Sequence, residues 1–520
     1  MIAENLDLVM FAALCGAILI GFPVAFTLAG VAILFAYLGW ALGAFDLGLL
    51  RALAQRIFGI ITNQTLIAIP LFVAMGVILE KSKLAEDLLV EMGRLFGGLR
   101  GGLGVSVMTV GALLAASTGI VGATVVAMAM IALPAMLANG YDRAFSAGTV
   151  CTAGTLGQII PPSTMLIILS EVMSSAYQQA QFREGKFSVE TISVGETFAA
   201  ALLPGLMLFV LYVVFILVRA LLQPRIAPAM PRAADAPFDL VRFATVLVMP
   251  IALIVAVLGS ILGGVATPTE AAAVGAVGAL LLAAIRLSKP SERAPYHAAI
   301  AAIVAIVVLA SATTIRPQRS DATALDLALA ALAALLCLVA LWGVVSAVRR
   351  LARAGVTRDI AMGATSVTAM IFATLIGATI FTLVFRGLGG DLRVEGLLEA
   401  MPGGPTAALL FTMGVIFLLG FFLDFVEISV IILPIVAPAL LLMGFDPIWL
   451  SVLIAINLQT SFLTPPFGFS LFYLRGAAPP EITTGDIYRG VAPYIGLQAL
   501  GVALVWLFPQ IATALPDLLF

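Results

Sequence analysis

Long unbroken apolar runs, separated by short polar clusters, extend along this chain from end to end. About 20 apolar residues of helix cross a bilayer core. Candidate spans fall at 8–39, 64–80, 196–218, 243–264, 266–285, 297–315, 323–348, 360–385 and 490–515. The runs do not alternate apolar and polar at period two, so they predict helices and not the strands of a membrane barrel. Two other stretches, 101–177 and 404–475, are too long for one span and are broken by polar and proline-rich clusters. Segment 42–62, with Arg51, Gln55 and Arg56 among Leu, Ile and Phe, predicts an interfacial amphipathic helix.

Composition sharpens this picture. Hydrophobic residues make up 62% of the 520 and charged ones only 10%, against roughly 25% charged in a soluble domain. With lipid as solvent, backbone polar groups must be satisfied internally, so the fold class is an all-α polytopic membrane protein. A net charge of −2 without a sizeable basic patch argues against a nucleic-acid partner. Cys15, Cys151 and Cys337 stand apart in apolar sequence and read as packing residues, and the lone His297 supplies no metal cluster. No Walker loop, zincin motif or dinucleotide fingerprint occurs. Nor is there a His/Asp or Ser/Lys pair at membrane depth, as an intramembrane enzyme would want. Residues 1–8 carry Glu4 and Asp7 and no basic residue, so the first apolar segment is expected to stay as a span.

Lys and Arg in short loops set orientation. Arg219, Arg225, Arg232 and Arg242 mark one basic loop, Arg286, Lys289 and Arg293 a second, and Arg349, Arg350, Arg353 and Arg358 a third. Two candidate spans separate each from the next, so all three are expected on the cytoplasmic side together with 81–100. Segments 178–195 and 387–403 then face outward, and Asp391, Glu395 and Glu399 against a single Arg393 agree with that.

The two interrupted stretches match each other. Each has a small or polar cluster, an apolar run ending in proline (Pro134, Pro434), a Gly-aromatic-Asp turn and a Pro-Pro pair. Asp142 precedes Pro161 by 19 positions, and Asp446 precedes Pro465 by 19. The first copy starts from a cytoplasmic loop and the second from an outer one, so the repeat is inverted, a pattern that points to a secondary transporter's midplane site. Segments 101–139 and 404–443 predict re-entrant hairpins, with tips at Ser117-Thr118-Gly119, Gly122 and Thr124, and at Gly420, Asp424 and Ser429. Segments 143–177 and 446–475 predict crossing helices interrupted at Ile160-Pro161-Pro162 and Thr464-Pro465-Pro466, because proline lacks an N–H and biases its predecessor away from the helix.

Carbonyls freed at such breaks are tolerated only against protein or a wet cavity. Together with nearby hydroxyls they form an all-oxygen cage suited to Na⁺. The cation candidates are Gly122, Thr152, Thr155 and Gly157 in one half, and Asp424, Asn457, Thr460, Ser461 and Thr464 in the other. The substrate candidates are Ser117, Thr118, Gly119, Pro162 and Ser163, with Pro466 and Gly468. Within 101–172 and 404–474 the only basic residue is Arg143, at a loop. An anionic substrate is therefore expected to be held by bound cations and helix N-termini. Asp424 and Glu427 read as cation-site or proton-carrying acids, or as polar links between helices. Glu270 reads as a capping box with Thr267, and Glu171 is open between structure and transport.

The chain divides into N-terminal scaffold helices (1–100), a first hairpin and broken helix (101–177), connecting helices (178–286), an inserted pair of spans (287–358), a scaffold helix with an outer loop (359–403), a second hairpin and broken helix (404–475) and a C-terminal helix (476–520).

These residues resemble the large membrane subunit, DctM type, of tripartite ATP-independent periplasmic (TRAP) transporters. The likeness runs through Ala68-Ile69-Pro70-Leu71-Phe72, the Ser117–Gly122 tip, Gly157-Gln158-Ile159-Ile160-Pro161-Pro162-Ser163, Ala266-Thr267-Pro268-Thr269-Glu270-Ala271, Phe422-Leu423-Asp424, Gly444-Phe445-Asp446-Pro447 and Thr464-Pro465-Pro466-Phe467-Gly468. It implies a bacterial or archaeal inner-membrane permease driven by a Na⁺ gradient through an elevator-like movement. It also implies a small four-helix membrane subunit and a periplasmic binding protein that delivers organic anions. Residues 287–358 depart from the pattern as an insertion, and Ser117-Thr118-Gly119 stands where the family commonly has Ser-Gly-Ser. Phe472-Tyr473-Leu474-Arg475 and Ile487-Tyr488-Arg489-Gly490 resemble the branch labelled for mannitol or chloroaromatic compounds, a label broad enough that a carboxylate such as a 2-oxoacid is an equal reading. A stand-alone anion symporter or exchanger of the same architecture is the alternative.

Overall fold

The computed structural model describes residues 5–230, 247–312 and 324–520, which form helices joined by turns and loops. Among them, seven helices are long and apolar enough to cross a bilayer, or eight if one bent pair is counted as a span. The fold is that of a polytopic helical membrane protein. Arg232, Arg242 and the 316–319 loop lie outside the described residues.

The single span expected at 8–39 is instead two helices, α1 (Leu6–Leu19) and α2 (Val24–Ala41). Gly21 between them has φ +97° and Pro23 has no N–H to donate, so the helix cannot run through. α1 starts near the acidic segment 387–403, where Arg393 reaches Asp7 at 2.7 Å and Asn5 at 2.8 Å. A short 3-10 turn leads to α3 (Leu53–Ile61), which buries none of its residues in the protein, as an interfacial helix should.

Next come α4 (Ala68–Lys81), α5 (Leu84–Phe96), the hairpin helices α6 (Gly102–Thr118) and α7 (Val121–Ala138), and the broken helix α8 (Arg143–Thr155) and α9 (Thr164–Arg183). The long α10 (Val194–Leu222), α11 (Met249–Leu262) and α12 (Pro268–Leu287) follow. Thr267 and Glu270 close the expected capping box at the start of α12, with N–H bonds of 3.3 and 2.8 Å.

The inserted segment is an antiparallel pair, α13 (Ala294–Ala312) and α14 (Ala324–Arg353). The pair packs on α12, and α14 keeps only 6% of its most apolar stretch buried, leaving a face for lipid.

The second half repeats the first: α15 (Thr357–Gly387), α16 (Gly390–Glu399), a hairpin of α17 (Gly404–Leu419) with α18 (Phe425–Ile431) and α19 (Leu433–Leu442), and the broken helix α20 (Pro447–Leu463) and α21 (Phe469–Ala477). α18 and α19 meet at 58° across Ile432, two residues before Pro434. The C-terminal span stops at Leu507, before Pro509, so 490–515 is also two helices, α22 (Thr484–Leu507) and α23 (Gln510–Leu519).

Hydrogen bonds between loops establish which ends lie together. At the basic end, Arg286 pairs with Asp87 at 2.6 Å, the Met230 N–H donates to Gly97 at 2.7 Å, and Arg350 Nε donates to the Leu287 carbonyl at 3.0 Å. At the opposite end, Arg183 pairs with Asp391 and Glu395, and Thr269 donates to Gln64 O at 2.7 Å. The first hairpin thus starts from the basic end and the second from the acidic end. In the scaffold, α2 packs along α15 and α4 along α12.

Candidate functional site

Each broken helix begins with an aspartate N-cap. Asp142 accepts the Phe145 N–H at 2.9 Å and Asp446 the Trp449 N–H at 2.7 Å. Helix then runs to the proline pair. The first copy tightens into a 3-10 turn at Leu156–Gln158 and resumes at Thr164, and the second stops at Leu463 and resumes at Phe469. Both Pro-Pro bonds, 161–162 and 465–466, are cis.

Small residues hold the hairpins against these breaks. A Cβ on Gly157 would strike the Ala115 carbonyl, and one on Gly111 would lie 2.6 Å from the Ala153 side chain, so α6 crosses α8 almost backbone to backbone. Gly119 turns the first tip with φ +63°, and its N–H donates to Ala115 O at 2.8 Å. Its own Cβ would collide with Thr164, which places the tip on the N-terminus of α9. Ser163 caps that terminus, accepting the Met165 N–H at 3.3 Å while donating to Gln158 O at 3.3 Å. Ser117 and Thr118 end α6, and their side chains are outside the described set.

In the second half the same job falls to side chains. Asn457 Nδ2 donates to Met413 O at 2.9 Å and Ser461 Oγ to Phe417 O at 2.5 Å, tying α20 to α17. A Cβ on Gly420 would lie 2.9 Å from Ser461 Cβ. Thr460 and Thr464 donate up their own helix, to Ile456 O and Thr460 O, each at 2.8 Å. A hydroxyl that donates to a carbonyl keeps its lone pairs, so these oxygens still suit a cation. Pro466 O accepts the Tyr488 hydroxyl at 2.8 Å, and Gly468 is pressed against the Thr464 carbonyl, 2.9 Å from where a Cβ would stand.

The two tips converge on one cavity of about 250 Å³. Val121 and Gly122 come from the first hairpin, Asp424 and Glu427 from the second, Tyr473 from α21 and Thr374 from α15. Asp424 and Glu427 form a capping box on α18: the Phe425 N–H donates to Asp424 at 2.7 Å and the Asp424 N–H to Glu427 at 3.0 Å. Both carboxylates therefore sit at a helix N-terminus where backbone N–H groups offset their charge, and both still line the cavity. Gly122 meets the Tyr473 ring, with a Cβ position 2.7–2.9 Å from three ring carbons.

The centre between the two broken helices is polar and tightly packed. Gln459 Nε2 donates to Thr155 Oγ1 at 3.3 Å, and Thr155 Oγ1 donates in turn to Thr152 O at 2.8 Å. Cys151 approaches Ser470 across the repeats at 3.5 Å. Thr152 Oγ1, Gln158 Oε1, Thr164 Oγ1, Ser429 Oγ and Gln459 Oε1 are buried without a hydrogen-bond partner. Such groups are costly to leave dry. Together they offer the neutral oxygen donors that an alkali cation takes. Gln158, Thr164 and Gln459 were not singled out from the sequence. Their signal was available: Gln459 follows Asp446 by the same 13 positions that separate Thr155 from Asp142.

An inverted pair of hairpins and broken helices around a central cavity is transporter architecture, and the sequence comparisons decide which. Residues 8–354 and 290–511 match the family described as tripartite ATP-independent periplasmic transporter, DctM component. The chain belongs to this family. It is a transporter subunit and not an enzyme. The two DctM matches overlap at 290–354, the stretch that holds the additional pair α13 and α14.

This DctM chain is similar to the C4-dicarboxylate TRAP transporter large permease of Vibrio cholerae, at 26% identity over 98% of this chain and 97% of that protein. It is 28% identical to the ectoine TRAP transporter large permease of Halomonas elongata, over 98% and 99% of the two chains. In fold it is similar to the solved YdaH transporter of Alcanivorax borkumensis, with TM-score 0.54 and 16% identity over 91% of this chain and 90% of that one.

Proposed function

We propose that this protein is the large permease of a tripartite system that imports a small organic anion, a carboxylate, across the bacterial inner membrane on a Na⁺ gradient. Its partners in this reading are a small four-helix membrane subunit and a periplasmic binding protein. The observation that carries the reading is the convergence of the two oppositely inserted hairpin tips on one cavity, with buried, unpartnered oxygens on the hairpins and broken helices that form it. Cations held at the breaks by Thr152, Thr155 and Gly157, and by Asn457, Thr460, Ser461 and Thr464, supply the positive charge that the hairpin tips and helix breaks lack. The substrate carboxylate rests against that charge and the N-termini of α7 and α9. Names of relatives that specify C4-dicarboxylates and ectoine support a carboxylate-bearing substrate. An elevator-like movement, in which the hairpin and broken-helix unit slides along α15, is supported by the packing of α2 and α4 on α15 and of α4 on α12.

Uptake into proteoliposomes tests this. The chain is reconstituted with its neighbouring small subunit, with and without the binding protein, and a pool of labelled organic acids is offered under a Na⁺ gradient. Uptake needing both Na⁺ and the binding protein is expected. Uptake by the chain alone would make it a stand-alone symporter, and uptake that follows a pH gradient and ignores Na⁺ would overturn the cation assignment.

A further inference from the structure

A second and larger cavity, of about 460 Å³, opens nearer the acidic end, between α3, α9, α15 and the second hairpin. α15 lines both cavities in succession, Thr374 facing the hairpin tips and Thr379, Thr382 and Arg386 facing this one. The charges in its wall are Arg56 from α3, Arg386 from α15 and Glu171 from α9. Glu171 is engaged, accepting Asn63 Nδ2 at 2.7 Å, a bond that pins α9 to the turn before α4. Neither arginine has a carboxylate partner among the described residues. Arg386 donates one N–H to Pro434 O at 2.7 Å, but its Nε is buried with no acceptor. Arg56 is exposed into the cavity, and Asp391, Arg56 and Arg183 all lie within electrostatic reach of Arg386. Leaving a guanidinium N–H desolvated and unpaired is costly, and the two arginines outweigh the one carboxylate, Glu171, in the same wall.

We propose that this outer cavity is a binding site for a small organic oxyanion, a carboxylate or sulfonate, held between Arg386 and Arg56. Guanidinium is the side chain best matched to such a group, because its planar fork meets two oxygens at once. Both arginines come from outside the repeated hairpin and broken-helix units, so the site stands on the scaffold side, facing the moving unit at Ser175 and Gln179. The site deepens the transport reading and rests on it for the direction of travel: it is where an anion waits before the hairpin tips receive it.

The test reads the cavity's charge directly, apart from transport. Ser175 lines the cavity, is exposed and tolerates Ser175→Cys as a near-isosteric change. Full-length Ser175→Cys in phosphatidylcholine nanodiscs, where both faces are open, is reacted with an anionic sulfonate and with a cationic trimethylammonium methanethiosulfonate. The chain without the new cysteine gives the background from Cys15, Cys151 and Cys337. The wall carries a net single positive charge, two arginines against Glu171, and such an excess concentrates counter-ions. The anionic reagent is therefore expected to react faster, and Arg386→Gln or Arg56→Gln, which leaves the wall neutral, to bring the anionic-to-cationic ratio down to that of the two reagents on a free thiol. Arg56→Gln removes an unpaired exposed group and keeps the test valid should Arg386→Gln fail to fold. A ratio that the arginine variants leave unchanged would overturn the proposal. A preference that disappears when phosphatidylglycerol is added would assign the arginines to lipid headgroups and overturn it too. Failure of organic-acid uptake sinks the transport reading and leaves this ratio unaffected, so the two failures are distinguishable.

Discussion

Gln459 donates to Thr155 at 3.3 Å across the boundary between the two halves of the chain, and both residues stand 13 positions beyond the aspartate that caps their own helix. Positions equivalent by the inverted repeat meet only on the axis that relates its copies. The bond therefore marks the pseudo-twofold axis of the molecule, beside the unpartnered oxygens Thr152 Oγ1 and Gln459 Oε1.

Gln459→Leu removes this bond while keeping the side chain's bulk. A hydrogen bond between helices in a membrane contributes about 0.6 kcal/mol on average, so the melting temperature of the purified protein is expected to move little. If the unpartnered Gln459 Oε1 serves the proposed cation site, its loss is expected to raise the Na⁺ concentration for half-maximal uptake roughly tenfold, equivalent to about 1.4 kcal/mol. A large fall in melting temperature with an unchanged Na⁺ dependence would make Gln459 a structural residue only.

Gly122 leaves no room for a methyl group beside Tyr473. Overpacking of this kind costs about 1–3 kcal/mol. Gly122→Ala is expected to lower both thermal stability and uptake, and Tyr473→Leu in the same chain to restore most of the stability. Failure of the double variant to recover would mean that the first hairpin does not rest on α21 at this point.

The Asp424 carboxylate caps α18, and the cation role proposed for it is separable from that one. Asn caps a helix as well as Asp does, whereas Ala loses about 1 kcal/mol. Asp424→Asn is expected to melt like the parent and to need more Na⁺ for uptake, while Asp424→Ala melts lower. If Asp424→Asn transports with the parent's Na⁺ dependence, the carboxylate serves the capping box alone.

The inserted pair α13 and α14 packs on α12 and has no extensive contact with either hairpin or broken helix. Its two ends lie together, since Arg350 Nε reaches the Leu287 carbonyl at 3.0 Å. Joining Ser288 to Ala352 through a short glycine linker is expected to give a chain that inserts and transports at near the parent rate. Lost uptake in a correctly inserted excision variant would give the pair a role beyond scaffold surface.

Much of this architecture is legible in the sequence because lipid imposes its own grammar. Without water in the bilayer core, helices must be long and apolar, and breaks in them are confined to protected sites. Hence the two hairpins, the two proline breaks and their inverted sense follow from apolar runs, proline pairs and basic loops. The Thr267–Glu270 capping box is equally local, a contact spanning three positions. Two spans were misjudged where hydropathy outweighed backbone chemistry: Gly21-Phe22-Pro23 and Phe508-Pro509 are apolar enough to hide a turn.

The sequence by itself determined the class of the protein, its family and the inverted pair of hairpins and broken helices. Only the tertiary structure decided which oxygens are left unpartnered, that Asp424 and Glu427 cap α18 while facing a cavity, and that Arg56 and Arg386 share another. The physical reason is range. Periodicity, caps and proline breaks act over a few residues and are written in consecutive positions. A side chain's unmet hydrogen bonds depend on what distant helices bring beside it: Thr155 lies 304 positions from Gln459, and no local pattern records that meeting.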